Sequence, residues 1–420
     1  MVDVVIGIAL WALVVFVSAT IAYHVVVVRR VAQATRPRPS LRDGLDMPEP
    51  GRWPSVCIVV PAHNEAAVIG DLARSILALD YPSVRAVFAL DRCTDDTQAA
   101  LRTVLGDDAF TSGRVEIVSV DACPDDWHGK PHAAHEGVTR ASKARDAELL
   151  LFVDADTRFA PMALRAAVAL MQLRELGVLS VLSTLEVSHW WEKVAQPWAG
   201  FELMRKYPID RINREKNPIG FANGQFMLFT RQAYDCVGGH EAVRRHVLED
   251  IALAIRAKKR NVQVNLYFAD GLFRCAMYDS WDAFRQGWKR IFIEGFRRRP
   301  ARLRTAAGRL LVMGVGAPLA SAVVMSIGAA QLFQATRWRA PIEEVWFSWV
   351  LLVVGVCGLA AWFTAAASVL RSQRLPVRWA VLAPAGALCV VRILHRAALD
   401  LKRGRPMQWG GREFVRQERT

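Results

Sequence analysis

Leu149-Leu150-Leu151-Phe152-Val153-Asp154-Ala155-Asp156 reads as a buried strand that ends in two carboxylates one residue apart. Ligands of open α/β sheets bind in the crevice outside the carboxyl ends of the strands. A compact anionic site at that place suits a divalent cation and, through it, a diphosphate. Mg²⁺ and similar hard cations are held by one or two carboxylates together with substrate phosphates. Asp-x-Asp pairs also occur as ordinary turns, so the segments on either side decide the reading.

Upstream, residues 56–60 form a short apolar run ended by Pro61-Ala62-His63-Asn64-Glu65, and 66–79 have a helical pattern. Residues 84–90 predict a second strand ending at Asp91. Thr94-Asp95-Asp96-Thr97 then offers an N-cap residue and first-turn acids to the next helix. Residues 115–120 predict a third strand and 148–153 a fourth. This βαβα alternation predicts a parallel sheet covered by helices. No GxGxxG is present, so the usual dinucleotide fingerprint is missing.

Charge and hydropathy extend the picture beyond the sheet. The 420 residues hold 54 Lys and Arg against 40 Asp and Glu, a net charge of +14. Such an excess suits nucleic acid, an anionic substrate or an anionic membrane surface. Here Arg-rich stretches flank long apolar segments, which selects the membrane. No nucleic-acid-binding motif is visible, and no nucleic-acid partner is expected. Cys57, Cys93, Cys123, Cys236, Cys275, Cys357 and Cys389 form no CxxC pair. They read as small buried hydrophobes of a reducing compartment, with neither disulfide nor zinc site.

Residues 4–28 are almost unbroken apolar sequence, long enough to span a bilayer. Asp3 precedes them and Arg29-Arg30 follow, so the run lacks the positive start of a signal peptide and reads as a retained anchor. The positive-inside rule places the N-terminus outside and the next domain in the cytoplasm. Residues 36–54, with five Pro among many charges, read as a tether. In 280–299, Trp281, Phe284, Trp288, Ile291, Phe292, Gly295 and Phe296 share one helical face, which predicts a helix lying in the membrane interface. Residues 310–333 and 346–370 predict spanning helices. Residues 379–394 are shorter, interrupted by Pro384 and carry Arg392, so they read as a span or a re-entrant segment. The basic tail favours a cytoplasmic C-terminus, which four simple spans from an outside N-terminus do not give; the parity stays open. The expected division is an anchor (1–30), a linker (31–54), a cytoplasmic catalytic domain (55–279), an interfacial helix (280–305), transmembrane helices (306–398) and a basic tail (399–420).

Further chemistry-bearing residues lie at loop-to-helix junctions. Glu249-Asp250 precede Ile251-Ala252-Leu253, either as acids favoured by a helix N-terminus or as a base positioned to take a proton from an attacking hydroxyl. In His128-Gly129-Lys130-Pro131, Gly permits close approach, Lys adds charge and Pro suits the first helical position. A helix start with a nearby Lys is an anion site, and the alternative is an ordinary loop. His132 and His135 share a helix face without a third metal ligand, so they read as surface or packing residues. The aromatic, basic stretch 190–207 reads as a second membrane-contacting helix or as core aromatics under a loop.

In order along the chain, these motifs resemble glycosyltransferase family 2, the inverting class with a GT-A fold. The likeness covers residues 56–290 and rests on Val56 to Glu65 with its Pro-Ala-x-Asn-Glu turn, Asp91 with Thr94-Asp95-Asp96-Thr97, Gly129-Lys130, Asp154-Ala155-Asp156 and Glu249-Asp250. Ala222-Asn223-Gly224-Gln225-Phe226, Arg231-Gln232-Ala233-Tyr234, Gly238-Gly239-His240, Met277-Tyr278 and Trp409-Gly410-Gly411-Arg412 are similar to its carotenoid- and hopanoid-associated membrane members. Ceramide glucosyltransferases are more distant.

The resemblance implies an α/β, mostly parallel sheet domain carrying membrane helices at both ends. It implies a nucleotide-sugar donor, UDP-sugar favoured, a lipid acceptor from the bilayer and Mg²⁺ or Mn²⁺. Pro61, Ala62, Glu65, Asp91, Lys130 and Asp154 would lie on the donor side, Asp156 would bind the metal, and Asp250 would be the general base. Glu249, Asn223, Gly224, Gln225, Gln286, Trp288, Lys289 and Arg290 would border the acceptor or diphosphate. Many relatives carry QxxRW; here Phe284 and Gly287 occupy the Gln and Arg positions. The function implied is an integral-membrane hexosyltransferase of the bacterial inner membrane. A processive polysaccharide synthase and a non-catalytic scaffold with a retained nucleotide-sugar fold are the alternatives; a transporter would need more spans and a repeat.

Overall fold

The computed structural model describes residues 2–338, 342–409 and 412–414. Ten strands lie between residues 56 and 275: β1 (Val56–Ala62), β2 (Val84–Asp91), β3 (Val115–Val120), β4 (Leu149–Val153), β5 (Thr157–Phe159), β6 (Val178–Leu182), β7 (Thr184–Leu185), β8 (Phe226–Thr230), β9 (Val264–Phe268) and β10 (Phe273–Cys275). Seven form one sheet in the order β3-β2-β1-β4-β8-β6-β9. Neighbours are parallel except at β8, which runs antiparallel to β4 and β6. The chain moves outward from β1 through β2 to β3, then returns to β4 on the other side of β1. That reversal opens the crevice between the ends of β1 and β4.

The strands are continuous apolar runs because both faces are covered. On β1, Ile58 and Val60 enter one core while Cys57 and Val59 enter the other. The antiparallel β8 shapes the site. Its first residue, Phe226, pairs with Val153, the last of β4. The Asn223-Gly224-Gln225 turn therefore arrives at the same edge as Asp154. β10 pairs with β5 and sets Cys275 opposite Thr157.

Among the described residues, four helices are long and apolar enough to cross a membrane: Val4–Thr35, Pro300–Trp338, Val345–Ser372 and Val377–Lys402. Each extends beyond its predicted segment. Pro384 does not break the last one. It stands in the first turn of Ala383–Lys402, where a missing N–H has no partner to lose.

Three further expectations are corrected. The tether at 36–54 is packed: Leu41 is fully buried in the main core, and Ser40 bridges to Phe268 at the edge of β9. Arg38 Nε meets Asp270 Oδ1 at 3.0 Å, and Arg374, just past the third apolar helix, meets the same oxygen at 3.1 Å. Charge and proline there make an ion-paired strap. Leu41→Ala should cost about 2–5 kcal/mol of stability, read as a lower unfolding midpoint in the purified protein. The helix Trp281–Gly295 does not offer its apolar face to lipid. Phe284, Trp288 and Phe292 are buried in a core shared with Trp198 of helix Trp190–Lys206 and Val390 of Ala383–Lys402. An amphipathic period specifies an apolar partner without saying whether that partner is lipid or protein. Finally, Asp96 precedes helix Thr97–Thr111 but caps nothing. Asp95 accepts from the amides of Thr97 and Ala66, each at 3.1 Å, and so joins that helix to the turn after β1. In the C-terminal Trp409-Gly410-Gly411-Arg412 motif, Gly410 and Gly411 lie outside the described residues.

Candidate active site

One wall of the crevice is built from the ends of β1 and β2. His63 Nδ1 donates to the Asp91 carbonyl at 2.6 Å, holding the two strand ends together. Asp91 is buried, and both its oxygens accept from Arg92, at 2.8 and 2.7 Å. Arg92 adopts a left-handed φ of 47° to make this pair, a conformation that costs energy outside glycine. Gly129 packs on it: a Cβ there would sit 2.8 Å from Asp91 Oδ2. This end of the crevice presents an Asp–Arg pair rather than a free carboxylate.

Helix Gly129–Arg140 begins at this contact and projects Lys130 into the crevice. Its Nζ lies 2.7 Å from Asp154 Oδ1 and 2.9 Å from Glu249 Oε1. Burial lowers the Lys130 pKa, but Asp154, Glu249 and Asp250 outweigh it and hold the ammonium above its ordinary value. On the far wall, the Asp250 carboxylate accepts from Gly224 N at 2.9 Å and Ile251 N at 2.7 Å. Burial, then Glu249, pushes this carboxyl upward against the pull of Lys130 and the two amides. Gly224 lies against both charged groups: a Cβ there would sit 3.0 Å from Lys130 Nζ and 3.1 Å from Asp250 Oδ2.

Asp156 sits deeper than Asp154. Burial, then Asp154 and Glu65, raises its pKa, and its buried Oδ1 has no hydrogen-bond partner. Among the described residues no group of three or more His, Cys, Asp or Glu could hold a metal. The orphaned Asp156 oxygen beside Asp154 is the part of the site that would suit a hard cation, which one or two carboxylates hold together with substrate oxygens. Glu65 is pushed up to about 7 by burial, Asp154 and Asp95. A carboxyl that binds its proton more tightly when folded loses stability as pH rises from its unfolded value through its folded one. Glu65→Gln, which mimics the protonated form, should therefore be more stable than the parent at pH 8 and equal to it near pH 4, by thermal melts across that range.

The structure brings Lys130, Asp154, Asp156, Glu249, Asp250, Glu65 and Gly224 together. Pro61 and Ala62 end β1 beside them. Asn223 and Gln225 shape the turn: Asn223 Nδ2 donates to Val181 O at 2.9 Å, and Gln225 Nε2 to Cys275 Sγ at 2.9 Å. Three residues of the 284–290 segment lie elsewhere. Gln286 is exposed, Lys289 turns to Asp400 at 3.1 Å, and Trp288 is buried with its Nε1 on Gln196 Oε1 at 3.3 Å. Arg290 alone faces the cluster; burial lowers its pKa while Tyr278, Glu249, Asp154 and Asp250 raise it. Glycine at 287 has a steric cause, because a Cβ would lie 2.4 Å from Tyr278 Oη. An arginine at 287 would displace that ring, and Arg290, nearly a turn later, supplies the cation instead. His132 and His135 pack on Trp127.

Sequence reasoning assigned no role to Arg92 or Cys275. Arg92 carries no motif and is set by an unusual φ. Cys275 reaches Asp156 only through the β5–β10 pairing.

Residues 54–297 match the family described as "Glycosyltransferase like family 2". Two similar proteins are 4,4'-diaponeurosporenoate glycosyltransferases of Staphylococcus aureus. That of strain MRSA252 is 28% identical over 246 residues, 57% of this chain and 61% of its own. That of strain USA300 is 27% identical over 257 residues, 60% and 64% respectively. The match thus spans about three-fifths of these relatives' length. A mannosyltransferase from Pyrobaculum calidifontis, solved with GDP-Man and Mn²⁺, aligns over 92% of this chain and 98% of its own with 17% identity and a TM-score of 0.48. With more than half of its length matched, the chain belongs to the glycosyltransferase-like family 2.

Proposed function

We propose that the chain is a membrane glycosyltransferase that moves a sugar from a nucleotide sugar of the UDP-glucose kind to a long apolar acceptor, carotenoid-like as in the relatives' name, with inversion. It would act at the cytoplasmic face of a bacterial inner membrane. The observation that carries this reading is the convergence of Lys130, Asp154, Glu249 and Asp250, from three separate segments, in one crevice. Glu65, Asp91 with Arg92, and Asp154 would orient the donor. Lys130 and Arg290 would face its diphosphate through charge-assisted hydrogen bonds. Asp250, fixed by two backbone amides, would take the proton from the attacking acceptor oxygen. A Mg²⁺ or Mn²⁺ held by Asp156 with Asp154 would supply neutralisation of the departing nucleoside diphosphate. Direct attack by one acceptor, through an oxocarbenium-like state, inverts the sugar carbon.

The test is incubation of the membrane-embedded protein with labelled UDP- and GDP-sugars and a total lipid extract, followed by mass analysis. A discrete glycolipid is expected. A labelled polymer would replace this reading with a polysaccharide synthase, and no incorporation from any donor would favour a scaffold.

A further inference from the structure

A cavity of about 280 Å³ lies where the apolar helices meet the catalytic domain. Its walls are apolar: Val27, Val31 and Ala34 of the N-terminal helix, Phe201 and Met204 of Trp190–Lys206, and Val369. Its lining is also cationic, with Arg30, Arg205, Arg211, Arg214 and Arg309 against the single carboxylate Asp210. Arg205 and Arg309 are committed to the buried Glu202, and Arg214 meets Asp210 at 3.5 Å. Arg30 and Arg211 are exposed, and no ion pair among the described residues uses either.

A smaller apolar slot of about 40 Å³ adjoins this chamber and shares Tyr23, Val27, Phe201 and Val369 with it. The slot is bordered by a π turn, Val312–Gly316, whose Met313 carbonyl lies 3.3 Å from His24 Nε2. Such turns inside helices recur at functional sites. Gly314, Ala365 and Ala366 are among its lining residues.

A cationic chamber beside an apolar slot matches one ligand chemistry, an anionic head on an apolar chain. Basic pockets between membrane helices take anionic lipid head groups. We propose that this chamber binds an anionic phospholipid of the bilayer, its phosphate between Arg30 and Arg211 and the start of one acyl chain directed toward the slot past Tyr23 and Phe201. The volume admits a head group and a few methylenes. The remaining chain lies along the N-terminal helix, where Val25 and Val26 are exposed. The site is separate from the sugar-transfer crevice, yet Ile209 joins the two. It lines the chamber and packs in the small core that holds Phe221 and Ile251, the residue after Asp250.

The test uses the full chain, delipidated in detergent and incubated with dioleoylphosphatidylglycerol or dioleoylphosphatidylcholine, with retained lipid counted by native mass spectrometry. One phosphatidylglycerol is expected to stay bound under conditions that strip phosphatidylcholine. Arg30→Glu with Arg211→Glu should weaken its retention about 10-fold or more. Val31→Trp, which fills the chamber without changing charge, should abolish it; circular dichroism checks the folding of both variants. Equal retention of phosphatidylcholine, or undiminished retention in either folded variant, would overturn the proposal. Inorganic phosphate competing as well as the lipid would reduce the site to an anion site. Displacement by a long-chain fatty acid that is then glycosylated would reassign it to the acceptor.

Discussion

Asp250→Asn should lower the transfer rate by about 10²–10⁴-fold, the range expected for loss of a positioned general base, with donor affinity nearly unchanged. The amide keeps the shape of the carboxylate, and its oxygen still accepts from one of the two backbone amides, Gly224 N or Ile251 N, while its NH2 can neither accept from the other nor take the proton. The split is measurable as kcat against donor KM. The acceptor's chemistry enters directly, because a hydroxyl must lose a proton on attack and a carboxylate at neutral pH has none to lose. A variant that keeps most of its rate would identify a carboxylate acceptor and remove Asp250 from the chemistry. The parent's pH profile follows with a definite sign. The base works only when ionised, and burial followed by Glu249 raises its pKa. The acidic limb therefore lies above the ordinary aspartate value of about 3.9, and the rate falls as pH drops through it. Asp250→Asn should lose that limb.

Asp156→Ala should be as severe for turnover and leave a different signature. In the parent, chelation of divalent metal should weaken donor binding; in the variant, donor binding should already be weak and indifferent to chelator, by calorimetry with and without EDTA. Loss of a group that stabilises charge on a leaving phosphate costs about 10²–10³-fold. The same change should not destabilise the fold. The carboxylate is buried, has an oxygen without a hydrogen-bond partner and is crowded by Asp154 and Glu65. Functional groups held at such a cost are commonly stabilised by removal. A variant that melts earlier and still responds to chelator would place the metal elsewhere.

The parallel half of the sheet is legible because buried strands on both sides of β1 appear as apolar runs that end in polar turns. Asp91, Lys130 and Asp154 are legible for the same reason, since Asp91 and Asp154 stand where such a run ends and Lys130 where the loop after one meets a helix. β8 is not legible as an antiparallel insertion. Phe226 to Thr230 is one more short apolar run, and its direction is set by pairing with β4. Without that direction, nothing places Gly224 against Asp250. Arg290 and Lys289 are adjacent and chemically alike in the sequence, yet one faces the site and the other faces Asp400. Successive residues of helix Trp281–Gly295 point about 100° apart, so the two cannot share a face; which one meets the crevice depends on how that helix docks on Trp198 and Val390, which no local pattern encodes. The 36–54 strap shows the converse: proline and charge are equally compatible with a free tether and with a chain pinned by Asp270.

That pinning sets a length scale. Asp270, nearly inaccessible to solvent, holds the chain leaving the first apolar helix and the chain leaving the third to the same catalytic domain. In the proposed membrane setting the crevice would then sit at a set height over the lipid surface, like a gauge mounted on a fixed post. An acceptor anchored in the bilayer, as proposed, would be sorted by how far its reactive end projects, so molecules of identical chemistry but shorter reach would be passed over.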